Sequence, residues 1–150
     1  MRAVLQRVKQ AEVLVQGRVA GTIKKGILIL LGIEKTDTKE DIDWLAGKIS
    51  RLRIFPDSNG IMNLSVCDVR GEFLVVSQFT LHASIKKGNR PFYGKSADPD
   101  VAIPLYQGFI KELQTLTGIP VQTGEFGARM EVSLTNDGPV TIIMDTKRIE

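Results

Sequence analysis

The chain has 150 residues, 43% of them hydrophobic and 25% charged, with a formal net charge of +3 and a pI near 9.1. A chain of this length buries roughly 70% of the surface its unfolded form exposes, enough for one core, and the composition excludes a disordered or fibrous protein. Cys67 is alone, which excludes an intrachain disulfide framework; the longest apolar run, Gly26 to Ile33, is too short to span a bilayer, and the opening Met-Arg-Ala-Val-Leu-Gln-Arg lacks a signal peptide's apolar region, so one cytoplasmic domain over residues 1–150 is expected, with no membrane partner.

In chain order, Ala3 to Val8, Ala11 to Val15, Arg18 to Ile23 and Ile27 to Ile33 read as strands, with tight turns at Gln16-Gly17 and Lys24-Lys25-Gly26. A helix follows, capped by Thr38 with Asp41 three residues on, its apolar stripe at Ile42, Leu45, Ala46, Ile49 and Leu52, with Trp44 off the centre. Pro56 to Gly60 is a turn signal, Ile61 to Val66 returns to strand, and Phe73 to Phe79 is a core strand. Asp98-Pro99 starts a second helix that carries Val101, Leu105, Phe109, Leu113 and Leu116 on one face and stops at Gly118. Two last strands, Met130 to Leu134 and Val140 to Met144, flank Asn136-Asp137-Gly138-Pro139, which reads as a hairpin turn. Strands outnumber the crossovers that parallel pairing requires. The fold class is therefore α/β: a mixed, largely antiparallel sheet or partial barrel with two helices packed against it.

The chemistry is narrowed by what the chain lacks. His82 is the only histidine, and at its short separation from Ser77 and Thr80 along an extended chain it does not reach the geometry of a general base. No metal-ligand spacing, Gly-rich phosphate loop or dinucleotide fingerprint occurs, so neither a metal nor a cofactor is expected. Polar work is left to hydroxyls, amides and the backbone. Ser77-Gln78-Phe79-Thr80-Leu81 ends an apolar strand in polar residues; if it stays extended, Ser77 shares a face with Phe79, and Gln78 with Thr80. Taken alone, the segment is either a site or a strand terminus whose hydroxyls satisfy local backbone. Lys86, Lys87, Arg90 and Lys95 follow directly, as a solvated loop or a contact for a polyanion.

Together, Ser77 to Leu81 and Asn136-Asp137-Gly138-Pro139-Val140-Thr141 resemble the two signature motifs of the D-aminoacyl-tRNA deacylases. The likeness runs the length of the chain, through Arg2 to Val8, Met62-Asn63-Leu64, Gly88-Asn89-Arg90-Pro91 and the Asp98-Pro99 helix start. It implies the fold of that family and hydrolysis of the ester joining a D-amino acid, or glycine, to tRNA, by a homodimer with active sites at the subunit interface. Ser77, Gln78, Phe79 and Thr80 would then form the catalytic strand end, facing a cis Gly138-Pro139 of the partner subunit that rejects L-residues. Asn136 belongs to that second motif, and Arg7 would brace it. Phe126 and Met130 match positions associated with the terminal adenine, where ordinary core packing is the competing reading. Lys86, Lys87 and Arg90 suit acceptor-stem phosphates. Two positions depart from the family pattern: Phe92-Tyr93 follows Arg90-Pro91 where Ser-Phe is usual, and Arg129 replaces a common acidic residue. Other functions compatible with the residues are a non-catalytic RNA-binding dimer and an esterase for small D-amino-acid esters.

Overall fold

The computed structural model describes residues 1–149. Its centre is β1 (Arg2–Val15), a single strand of 14 residues where the sequence reads as two. The apparent gap at Lys9 and Gln10 is a pair of exposed residues at which alternation breaks, because the facing strand bulges there. β1 pairs antiparallel with β2 (Arg18–Ile23) through its second half and with β3 (Gly26–Gly32) through its first. The β1–β2 hairpin turns on Gln16 and Gly17, both at positive φ. β3 runs parallel to β6 (Glu72–Ser77), and β6 runs parallel to β7 (Val121–Thr123). β2 curls back onto β7, where a Cβ on Gly21 would stand 2.5 Å from the Thr123 carbonyl. The sheet is thereby nearly closed.

The other edge of β1 is taken along almost its whole length, from Arg2 to Leu14, by β8 (Glu131–Asp145). This overturns the hairpin expected at Asn136 to Pro139: the chain does not reverse there. Both halves of β8 pair with β1, and residues between Asn136 and Thr141 bulge out opposite Arg7. Asn-Asp-Gly suits either outcome; the strand continues because its partner does.

Helix α1 (Lys39–Ser50) starts on the expected capping box, with Thr38 and Asp41 each satisfying the other's backbone. Asp41 also accepts from the Lys147 ammonium at 2.9 Å and from the Thr146 hydroxyl. Burial pushes its carboxyl up, but the Lys147, Thr146 and Thr38 hydrogen bonds outweigh that and hold it at about 2. Helix α2 (Pro99–Thr117) starts at Pro99 and ends on Gly118 at φ 68. Its buried face is Ala102, Tyr106, Phe109 and Leu113, rotated from the expected stripe, with Val101 and Leu116 left exposed. The rotation inserts Tyr106, whose hydroxyl donates to the Val75 carbonyl at 2.9 Å. Both helices cover one face of the sheet, over Ile27, Ile29, Leu31, Phe73 and Val75. Leu28, Leu74 and Val76 point the other way, into a second cluster with Val13 and Ile23. β3 and β6 are buried on both faces, as their unbroken apolar runs require.

The strand expected over Ile61 to Val66 shortens to β5 (Met62–Leu64), paired with β4 (Phe55–Pro56). Cys67 is free and exposed. Among the described residues, no helix is long and apolar enough to cross a membrane.

Candidate active site

The core strand stops at Ser77, two residues earlier than its pattern suggests, and Phe79–His82 curls into a short 3-10 turn. The expected alternation through Thr80 therefore fails. Gln78 and Thr80 still meet, because the turn brings the Gln78 side-chain amide onto the Thr80 hydroxyl. The Gln78 N–H extends the sheet by donating to the Leu31 carbonyl at 2.8 Å, so it is spent. Phe79 and Thr80 open the turn, and the first N–H groups of such a turn have no acceptor within it. Ser77 lies half-buried at the strand end and Phe79 is 55% exposed. Ser96 donates to the Phe79 carbonyl at 3.0 Å, Arg2 donates to the Leu81 carbonyl at 2.6 Å, and Tyr93 packs edge-on to the Phe79 ring at 5.0 Å.

His82 is buried, with Nδ1 3.5 Å from Glu34 Oε2 and no partner at Nε2 among the described residues. Neither Ser77 nor Thr80 hydrogen-bonds to it. Among the described residues no cluster of His, Cys, Asp and Glu suits a metal ion.

At the other motif, the Gly138–Pro139 peptide is cis and Gly138 has φ 129. Gly138 and Pro139 are exposed at the tip of the bulge. Beneath them the bulge is braced from β1. Arg7, 8% exposed, donates Nη1 to the Ile54 carbonyl at 2.6 Å and Nε to the Asp137 carbonyl at 3.1 Å, and pairs with the Asp137 carboxylate at 3.3 Å. Gln6 Oε1 accepts from Asn136 Nδ2 at 2.7 Å and from the Thr141 hydroxyl at 2.6 Å, joining the two ends of the bulge. Asn136 Oδ1 accepts from the Val140 N–H at 3.4 Å. Sequence reasoning finds Arg7 and Asn136 but misses Gln6, Arg2 and Ser96. Gln6 adjoins Arg7 in the chain and Arg2 lies on the same strand, but nothing local marks Ser96.

Within one chain the two motifs do not meet. Ser77 pairs with Leu31, Leu31 pairs with Ala3, and the bulge stands opposite Arg7, four residues further along β1. By strand geometry that is about 13 Å along the sheet and about 14 Å across it.

Phe126 packs edge-to-face on Tyr106, centroids 5.7 Å apart, and lines a groove of about 480 Å³ with Ile103, Gln107 and Ile110. Met130 lies instead over Gly124, where a Cβ would meet its sulfur at 2.5 Å, and packs into the other core cluster. The two pack against different core clusters. Lys86, Lys87 and Arg90 are exposed on the loop after the 3-10 turn, and no carboxylate among the described residues pairs with them.

The sequence profile of the family described as D-Tyr-tRNA(Tyr) deacylase matches residues 4–145. A D-aminoacyl-tRNA deacylase of Flavobacterium johnsoniae is 60% identical over 150 residues, 100% of both chains. One from Thermosipho africanus is 55% identical over 99% of both. A solved structure described as the c-Myc DNA Unwinding Element Binding Protein superposes with a TM-score of 0.92 at 39% identity, over 97% of this chain and 99% of its own. Another, described as a probable eukaryotic D-amino acid tRNA deacylase, shares the fold with a TM-score of 0.81 at 19% identity, over 95% and 97%. With the family profile matching nearly the whole chain and full-length relatives all named for the same deacylation, the chain is of the class of carboxylic ester hydrolases. It belongs to the D-aminoacyl-tRNA deacylase family.

Proposed function

We propose that the enzyme releases D-amino acids and glycine from tRNA as a homodimer, each site pairing the Ser77 to Thr80 end of one protomer with Gly138-Pro139 of the other. The observation that carries this reading is the separation of the two motifs within one chain, each presented to solvent. β8 supports it further: its outer edge has no strand partner among the described residues, and Ile143 on it is 70% exposed. Such an edge calls for cover.

In this reading the ester carbonyl lies on the 3-10 turn, with the Phe79 and Thr80 N–H groups directed at its oxygen and the Ser77 hydroxyl beside them. Water adds to the carbonyl carbon, the negative charge gathers on that oxygen, and collapse expels the ribose oxygen, which takes up the proton the water gives up. The vicinal 2'-hydroxyl assists that transfer. Each donor contributes about 3 kcal/mol to the transition state. Thr80 has only the Gln78 amide on its hydroxyl and no base, so it is a poor nucleophile near neutral pH. Its replacement by alanine lowers kcat by less than about tenfold; a loss of about a thousandfold with binding intact would make it the nucleophile.

Chirality is judged by collision. The Gly138 and Pro139 carbonyls face the substrate's α-amino group, a D side chain points outward, and an L side chain is driven into the partner's bulge. Glycine meets no obstacle. Subunit complementation tests the arrangement. Gly138→Trp blocks one motif and Phe79→Pro the other; mixed dimers of the two inactive variants regain one intact site and deacylate D-aminoacyl-tRNA. Mixed dimers that form and stay inactive would sink the shared site. Binding of tRNA without turnover would point to a non-catalytic RNA-binding dimer, and equal turnover of small D-amino-acid esters to an esterase without an RNA partner.

A further inference from the structure

The segment from Ser84 to Phe92 closes on itself: the Ser84 N–H donates to the Phe92 carbonyl at 2.8 Å, and the Phe92 N–H donates back at 2.9 Å. Between these ends the loop turns through Gly88 at φ 75 and presents Lys86, Lys87 and Arg90. Lys95 follows, and no acidic residue occurs from His82 to Ala97. None of these cations forms an ion pair among the described residues, although Glu34 bridges to Ser96 at the loop's base. Apolar side chains are interleaved with the charge. Phe92 is 70% exposed and Ile85 71% exposed, yet the Phe92 ring is not adrift: it leans on Gly94, where a Cβ would come within 2.3 Å of the ring. The loop is anchored to the candidate active site, since Tyr93 packs on Phe79 and Ser96 holds the Phe79 carbonyl.

An exposed ring fixed by its neighbours and surrounded by unpaired cations fits a ligand that is flat, apolar on its faces and negatively charged along its backbone. Unpaired RNA has that chemistry. A second copy of this chain docking by the same surface would press like charges together. We infer that Phe92 is a stacking platform for an unpaired nucleobase of the substrate's 3' end, lying before the terminal nucleotide, with Lys86, Lys87 and Arg90 meeting the adjoining phosphates. The inference rests on the aminoacyl-tRNA reading of the Ser77 to Thr80 end, which places the reacting ester beside Phe79 and sends the preceding nucleotides across the loop.

The test compares two substrates carrying the same ester: full D-aminoacyl-tRNA, and D-aminoacyl-adenosine, which has no upstream nucleotides. Phe92→Ala raises KM for the tRNA by about tenfold, the effect of losing one stacked base, while kcat stays within about twofold. Both constants for the adenosine ester are unchanged, and Phe92→Trp restores the KM. Equal impairment on the two substrates, no change on either, or a shift of the RNA-free protein toward monomer would each overturn the proposal. Should the wild-type protein hydrolyse neither substrate, the deacylase reading fails separately and binding decides. Quenching of Phe92→Trp fluorescence by the trinucleotide CCA, measured against the Trp44 signal of Phe92→Ala, sustains the subsite. No quenching, or a blue shift on phosphatidylglycerol vesicles without any response to CCA, sinks it.

Discussion

The bulge between Asn136 and Thr141 and the 3-10 turn at Phe79–His82 interrupt two strands of one sheet in opposite ways. The bulge is fastened by side chains: Arg7 from below, Gln6 across its ends and Asn136 within it. The turn is held chiefly through its main chain, by the Gln78 N–H on Leu31 and by Arg2 and Ser96 on carbonyls. That leaves the leading N–H groups of the turn uncommitted. In the proposed function the difference has a use: a wall that rejects the wrong shape gains from stiffness, and a surface that receives developing charge needs unspent donors.

The largest expected effect comes from removing the brace. Arg7→Leu leaves the Ile54 and Asp137 carbonyls and the Asp137 carboxylate without their buried partner. The cost is about 3 kcal/mol, a fall in Tm of the order of 10 °C by calorimetry. Residual activity of that variant should discriminate less between D- and L-aminoacyl-tRNA. If discrimination survives, the wall does not depend on its brace.

Gly138→Ala comes next. Gly138 sits at φ 129, and a Cβ would stand 2.8 Å from Val140 Cγ2 and 3.1 Å from Arg7 Nη2. Destabilisation of about 1 to 3 kcal/mol is expected, read as a lowered denaturant midpoint with an unchanged slope. A comparable substitution in the turn, Thr80→Ala, should change stability by no more than about 0.5 kcal/mol, so the pair measures how unequally the two interruptions are held.

Acid supplies a smaller, graded probe outside both regions. Asp41 titrates at about 2 in the folded chain against an ordinary 3.8. A carboxylate held below its unfolded value stabilises fully above the unfolded pKa, and that contribution is lost as the pH falls from about 4 through about 2. Thermal unfolding between pH 5 and 2 should therefore show a slope that flattens in Asp41→Asn. Asp57, Asp68 and Asp145, also lowered, supply what slope remains. An unchanged slope would mean that Lys147 and Thr146 do not hold Asp41.

What the sequence discloses follows from how local each cause is. Thr38 and Asp41 announce α1 because a capping box spans four residues, and Gly118 announces the end of α2 for a similar reason. The bulge is misread because Asn136 to Pro139 carries turn chemistry, while the decision to continue rests with β1, 130 positions away at the Gln6–Asn136 bond. β7 goes unseen: three residues display no period. The stripe on α2 is misplaced because the Val75 carbonyl draws Tyr106 inward, a preference that no helical spacing records. At the candidate site, residue types are legible but partners are not. Arg7 stands out by resemblance, whereas Gln6 gains meaning only once Asn136 and Thr141 lie on either side of it.

β1 and β8 lie against each other along almost their entire lengths, though all of the other strands and both helices come between them in the chain. During translation β1 therefore waits with one long edge bare until the distant segment that forms β8 emerges. Such sequence-distant closure slows folding and exposes an aggregation-prone intermediate, so this chain should lean on holding chaperones more than a helical protein of equal size does.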